Sequence, residues 1–491
     1  MSLARLAHRN GGKVSDITHR PFSSTLPMMF HYSGLCRHWY RFALKGFTLS
    51  VKQDPIRMGC WGSAPTNMRG WVLFLGLSGG LGGCASIQPP YSSEQTGLEV
   101  GCASGDVTST ETIIWLKGSG SQPLVVQYGP KHTPERMLET DHVSPAADTD
   151  FTVKINLTEL TPKTHYIYRA VVEGKQPGPL CQFVTAPVPD EPAPVTFVIG
   201  GDVNGTFRPF TIMDEMRSAK PDFFIFLGDT IYSDQGIQLP DYWAKYVENR
   251  DDATQRFLAQ TSVYAMWDDH EVANDFSSTH PRMPIGREAF FDYWPVRPDP
   301  QDPHRLYRAF RWGLAVEFFL LDTRQYRDPA VGTMLGPVQK QWLKDSLAAS
   351  PATIKFIVTS VPFSDPRKDK WGEYPQERDE IVNFIGKEGI SGIVFLTTDV
   401  HHAAIAKVPG PLGLKELIFG PLASTMNVRI KPNEPRFEYF NDQSQNYGKI
   451  SVKPGPPDLS VEVEWFDKFH NRLHRAEFGE DLSHNRFRLN Q

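Results

Sequence analysis

At 491 residues the chain is long enough for more than one domain, and its formal net charge of −5 conceals an asymmetry. Residues 1–67 carry nine Lys/Arg against two Asp/Glu, whereas from Cys84 onward 41 Lys/Arg face 54 Asp/Glu. So acidic a body argues against nucleic-acid binding, which depends on Lys and Arg neutralising phosphates, and any phosphate-bearing substrate must be drawn by a local cationic centre such as bound metal.

Residues 1–67 show no sustained period and no clean amphipathic helix, so they are read as an unstructured extension rather than a targeting peptide. Residues 68–83, Met-Arg-Gly-Trp-Val-Leu-Phe-Leu-Gly-Leu-Ser-Gly-Gly-Leu-Gly-Gly, place a positive charge before a short apolar core and then small residues. The core is too short to span a bilayer and fits a secretion signal. Leu81-Gly-Gly-Cys84 resembles the bacterial lipoprotein cleavage box. That resemblance implies a lipidated Cys84 and an exported, membrane-anchored protein at the periplasm or cell surface; the alternative is an ordinary signal cut near Cys84 or Ala85. Residues 84–97 are a polar tether.

From 98 to 187 the pattern becomes short β segments between turns: Thr112–Lys117, Leu124–Tyr128, Phe151–Leu157, His165–Val172 and Cys181–Val184. This density predicts a small β-sandwich. Leu160-Thr-Pro-Lys-Thr-His-Tyr-Ile-Tyr168 resembles the signature of fibronectin type III-like domains. Such a module would serve as a spacer or would position substrate or a partner. With Cys36 and Cys60 upstream and Cys84 lipidated, Cys102 and Cys181 remain, to be bridged in an oxidising compartment or left as buried thiols. The Pro-rich stretch Pro187–Pro194 marks a boundary. Beyond it, in residues 195–491, apolar runs alternate with helical segments at Thr211–Arg217, Pro337–Ala348 and Gln376–Lys387, which predicts an α/β fold, closed by a final β pair near 449–465.

Four of those apolar runs stop at an acid. Thr196–Gly201 runs into Asp202, Phe223–Gly228 into Asp229 and Tyr232, Val263–Trp267 into Asp268, Asp269 and His270, and Gly392–Thr398 into Asp399 and His401. Each run reads as a strand buried on both faces, whose carboxyl end is where α/β folds place ligands. Any one of these acids would pass as a turn or cap residue. Four strand ends converging within one sheet would put carboxylates so close that only cations could hold them together.

Gly228-Asp-Thr-Ile-Tyr232, Trp267-Asp-Asp-His-Glu271, Leu321-Asp-Thr-Arg-Gln-Tyr-Arg327 and Thr398-Asp-Val-His401 occur in the order found in alkaline phosphatase D-like enzymes, members of the calcineurin-like metallophosphoesterases, which this chain resembles over most of 98–470. The resemblance implies a metallophosphoesterase-type α/β sandwich that hydrolyses phosphate mono- or diesters with a hydroxide shared between metals. It makes Asp229 the bridging carboxylate, with Asp202, Tyr232 and His401 completing a first site. Phenolate, carboxylates and imidazole together favour a hard trivalent ion, hence Fe3+. Asp269 and Asp399 would hold a second ion, Ca2+, Mn2+ or Mg2+. His270 would protonate the leaving group as general acid or orient the nucleophile. Arg324 would steady the phosphoryl oxygens or form a structural ion pair with a neighbouring Asp, and Asp268 and Glu271 would orient these groups from behind. His402 is expected in the core, and Asn274 and Asp275 in a turn.

The sequence also departs from the family. Asp202 stands where the pattern has Cys, which brings the first site closer to that of purple acid phosphatases; Asn204 replaces a His and is read as a turn residue. Val358-Thr-Ser-Val-Pro362 stands where relatives offer an amide or His to the second metal. A surface-binding protein with a degenerate phosphatase site is the competing reading.

Overall fold

The computed structural model describes residues 92–454 and 459–478. The extension, the signal, Cys84 and most of the tether lie outside the described residues, and among the described ones no helix is long and apolar enough to cross a membrane.

Among the described residues, twenty strands follow in chain order. The first seven are β1 (Leu98–Gly105), β2 (Thr112–Gly118), β3 (Leu124–Pro130), β4 (Leu138–Glu139), β5 (Thr152–Leu157), β6 (His165–Val172) and β7 (Cys181–Val184). Then come β8 (Val195–Gly200), β9 (Phe223–Phe226), β10 (Ser262–Ala265), β11 (Arg308–Trp312), β12 (Val316–Leu320), β13 (Ile354–Val358) and β14 (Ile393–Thr397). The chain closes with β15 (Ala403–Lys407), β16 (Lys415–Ile418), β17 (Phe437–Asn441), β18 (Asn446–Lys453), β19 (Ser460–Asp467) and β20 (Arg472–Phe478).

They form three sheets: a nine-stranded one in the order β20-β19-β18-β8-β9-β10-β1-β2-β5, a seven-stranded one in the order β11-β12-β13-β14-β16-β15-β17, and a four-stranded one in the order β4-β3-β6-β7. The four strand ends expected in one sheet therefore come from two, with β8, β9 and β10 in the nine-stranded sheet and β14 in the seven-stranded one. The reason they look alike is that each is buried on both faces. In β9, Phe223 and Ile225 point into the core between the sheets, while Phe224 and Phe226 face the outer layer of helices. Phe197 of β8 crosses the gap to meet Phe318 of β12 edge-on, ring centroids 5.1 Å apart. A third core fills the far side of the seven-stranded sheet, where Leu343 and Leu347 of helix Gly336–Ala349 and Ile381 and Ile385 of helix Pro375–Lys387 pack on Phe395. The layering is helix, sheet, sheet, helix.

At the front, β1, β2 and β5 face the four-stranded sheet across a core that includes Leu116, Val126 and Tyr168. Cys102 and Cys181 are bridged there. Strand β1 also pairs in parallel with β10, Gly105 opposite Val263, so the front strands extend the sheet that bears the site.

Candidate metal centre

The strand ends deliver their acids through backbone conformations that side chains ordinarily avoid. Asp202, Asp229, Asp399 and His401 have φ of 64°, 50°, 74° and 55°. Left-handed residues other than Gly are costly, by roughly 1–3 kcal/mol each, and cluster where function requires them. Gly228 makes the turn before Asp229 possible: its φ is 111°, and a Cβ there would lie 2.7 Å from the Asp268 amide nitrogen.

Asp202 is completely buried. Its Oδ2 accepts from the Thr398 hydroxyl at 2.5 Å, while Oδ1 has no hydrogen-bond partner and lies 3.8 Å from His401 Nε2. His401 donates from Nδ1 to the Thr425 carbonyl at 2.5 Å, a bond that leaves the Nε2 lone pair directed at Asp202 and at the Tyr232 hydroxyl, 3.4 Å away. The Tyr232 ring stacks on His270 with centroids 4.1 Å apart. The His270 amide donates to Asp229 Oδ1 at 3.1 Å, and its Nε2 is 4.0 Å from Asp229 Oδ2. Ligand atoms of Asp229, Asp269 and His270 lie within 4.8 Å of one another, as do those of Asp268, Asp269 and Asp399 and those of Asp269, Asp275 and Asp369. Asp202, Asp229, Tyr232, Asp269, His270, Asp399 and His401 are thus gathered at one place, where the two sheets meet.

Burial sets the electrostatics. It pushes the Asp202 carboxyl up to about 7 against the Thr398 hydrogen bond. It also lifts Asp399 to about 7 in spite of the Lys370 ammonium. Asp229 stands well above the usual range, through burial and then the charges of Asp269, Asp268 and Glu271. Burial acts on Asp269 in the same sense, but Arg324, His270 and Lys370 outweigh it and hold that carboxyl at about 2. For His270 burial is opposed by the Asp234 hydrogen bond and the Asp269 charge, which together raise it to about 9.

Arg324 takes the structural alternative and not the phosphoryl contact. Its side chain is wholly buried; Nε and Nη2 grip Asp268 at 2.5 and 3.1 Å, and Nη1 donates to Asp369 at 3.0 Å. A guanidinium so enclosed has no open face for a phosphoryl oxygen. The Val358–Pro362 block does related work, since Ser360 donates to Asp268 Oδ1 at 2.7 Å. Glu271 accepts from the amides of Asp268, Asp229 and Thr230 and so ties two strand ends together. His402 is buried against Phe440, and Asn204 caps the turn at Thr206.

Two groups escaped the sequence reading. Asp234 holds His270 Nδ1 at 2.8 and 2.9 Å and accepts the Asn274 amide at 2.7 Å. It stands two residues beyond Tyr232, where the pattern of strand-end acids would have flagged it. Lys370 pairs with Asp369 at 2.9 Å and also with Asp399. It sits in a loop between β13 and helix Pro375–Lys387, and nothing periodic singles it out.

Solved structures share this architecture. That of PhoD matches with a TM-score of 0.71 at 22% identity, covering 82% of this chain and 94% of the other. That of purple acid phosphatase PPD1 from yellow lupin seeds matches with a TM-score of 0.59 at 12% identity, covering 77% and 74%. The chain thus shares its fold with PhoD and with a purple acid phosphatase. The chain belongs to the PhoD-like phosphatase family, whose description matches residues 202–456, with the PhoD-like phosphatase N-terminal domain matching residues 83–187. Alkaline phosphatase D of Bacillus subtilis (strain 168) is 25% identical, in an alignment that covers 74% of this chain and 77% of that protein. The chain is a phosphoester hydrolase of a metal-dependent family, and phosphate esters are its substrates.

Proposed function

We propose that hydrolysis takes place at the cluster around Asp202 and Asp229, with Asp202, Asp229, Tyr232 and His401 holding one cation and Asp269 and Asp399, with Asp229 between, facing a second position. The observation that carries this reading is that buried oxygens of three of these carboxylates, Asp202 Oδ1, Asp269 Oδ1 and Asp399 Oδ2, have no hydrogen-bond partner, Asp399 Oδ2 lying beside the Lys370 ammonium. Buried charged oxygens are otherwise paired, and the hard oxygen and imidazole donors around them fit Fe3+ with Ca2+, Mn2+ or Mg2+. Bound there, such ions supply Lewis-acid polarisation of the phosphoryl oxygens and of water.

The chain's own residues do the rest. In the metal-free protein, against the effect of burial, the Asp234 hydrogen bond and the Asp269 charge keep His270 protonated up to about pH 9. With Nδ1 engaged by Asp234, Nε2–H is left on the Asp229 side of the ring, where it can protonate a departing alkoxide. Arg324 and Glu271 keep Asp268 and the strand ends fixed and act as positioning residues. Asp229→Asn is expected to lower hydrolysis of p-nitrophenyl phosphate and bis-p-nitrophenyl phosphate by at least about a thousandfold, with metal content reduced and the circular dichroism spectrum retained. Unchanged turnover in that variant would remove Asp229 from the site.

The same reading places the enzyme outside the cytoplasm, anchored through a lipidated Cys84, with the front sheets as a fibronectin type III-like module. The Cys102–Cys181 bridge supports an oxidising compartment. In detergent phase separation the unaltered protein should enter the detergent phase and Cys84→Ser the aqueous one. Identical partitioning of the two would exclude lipidation at this position.

A further inference from the structure

The cluster is unevenly countered by fixed charge. Asp268, Asp269, Asp369 and Asp399 share three side-chain cations. Arg324 bonds Asp268 and Asp369 and lies 3.8 Å from Asp269, Arg327 pairs with Asp369, and Lys370 pairs with Asp369 and Asp399. Among the described residues the ion-pair partners of Asp202 and Asp229 are imidazoles alone, His401 at 3.8 Å and His270 at 4.0 Å.

Lys370 is held in this place by its neighbours. Trp371 is fully buried and its indole donates to Thr359 at 3.2 Å. The Asp369 amide is held by Glu373 at 2.8 Å, and Gly372 packs so closely that a Cβ would lie 2.3 Å from Pro366. The lysine side chain is 12% exposed. Ordering and burying a lysine costs both rotamer entropy and solvation, and here two carboxylates offset it.

We propose that the Lys370 ammonium is the resident counter-charge of Asp399, standing where a second cation would otherwise be held, so that cation uptake is concentrated at the Asp202–Asp229 end. An ammonium is a compact point charge with three donors and no coordination geometry to satisfy. It can neutralise Asp399, and through Asp369 it belongs to the same network as Arg324. A divalent ion entering between Asp269 and Asp399 would have to displace it or face its repulsion. The assignment rests on the cation-binding reading above and adds to it a reason for unequal occupancy.

The test is metal content per full-length chain, by elemental analysis after incubation with excess Ca2+ and desalting. Lys370→Met, which keeps the stem and removes the charge, should hold about one cation per chain more than the unaltered protein, and Lys370→Arg the same number as the unaltered protein. Equal metal content in Lys370→Met and the unaltered protein overturns the proposal. So does a crystal structure of the unaltered protein with Ca2+ bound between Asp269 and Asp399 and Lys370 turned away, a result available even should the variant fail to fold. Asp229→Asn separates the two levels of the argument: if its metal content matches that of the unaltered protein, the metal reading itself fails, whatever Lys370 does.

Discussion

At the scale of single residues, the proposed chemistry turns on how His270 is held. Asp234 fixes its tautomer and contributes to its raised pKa, so removing that carboxylate should act on the protonation of the acid and leave substrate binding alone. Asp234→Asn is expected to lower kcat about 10–100-fold with KM nearly unchanged, and to move the alkaline limb of the pH–rate profile to lower pH. Metal content should stay as it was. A variant that changes KM alone, or leaves the alkaline limb in place, would show that Asp234 merely packs against the ring. The imidazole itself was legible in Trp267-Asp-Asp-His-Glu271, because a histidine behind paired acids at a strand end has few structural reasons to be there. Arg324 shows the limit. An arginine near a cluster of acids reads the same in sequence whether it faces substrate or is enclosed behind the carboxylates, and only its burial and its grip on Asp268 decide between them.

At the scale of elements, the site depends on how each strand is stopped. Gly228 both turns the chain after β9 and lets it pass the Asp268 backbone. Gly228→Ala should destabilise the protein by about 1–3 kcal/mol from the backbone conformation alone and lower activity by displacing Asp268 and Asp229. Urea unfolding and turnover would be measured together; an unchanged midpoint with full activity would mean that the turn tolerates a side chain. The strands and the three predicted helices were readable because apolar runs and helical periodicity survive any tertiary arrangement: the expected Gln376–Lys387 lies in helix Pro375–Lys387 and Pro337–Ala348 in Gly336–Ala349. Their partition between two sheets was not readable. A strand covered on both faces has the same apolar composition whether its outer neighbour is a helix or another sheet, and Phe223 and Phe224, adjacent in sequence, belong to different cores.

At the scale of the whole molecule, gathering the acids makes stability depend on pH and metal together. Unfolded aspartates titrate near 4, whereas Asp202 and Asp399 in the folded, metal-free protein titrate at about 7. Between those values the folded state binds more protons than the unfolded state, so metal-free stability falls as pH rises and the loss is complete above the folded values. Asp269, held at about 2, changes stability only in more acidic solution. A cation bound to ionised Asp202 opposes its share of the loss. The Tm difference between metal-loaded and chelated protein should therefore widen from about pH 5 to about pH 8. A constant or narrowing difference in calorimetry would mean that Asp202 is not a carboxylate that binds the cations.

The seam between β1 and β10 carries a further implication for anyone wishing to cut this enzyme down. Gly105 lies against Val263 so tightly that a Cβ would come within 2.5 Å of the Val263 carbonyl, and β10 is the strand that leads to Asp268, Asp269 and His270. Removing the front strands would leave β10 with a bare, sticky flank beside the candidate metal centre. The amino-terminal portion is therefore no detachable handle: a minimal catalytic fragment needs either these strands or a substitute selvedge along the same edge.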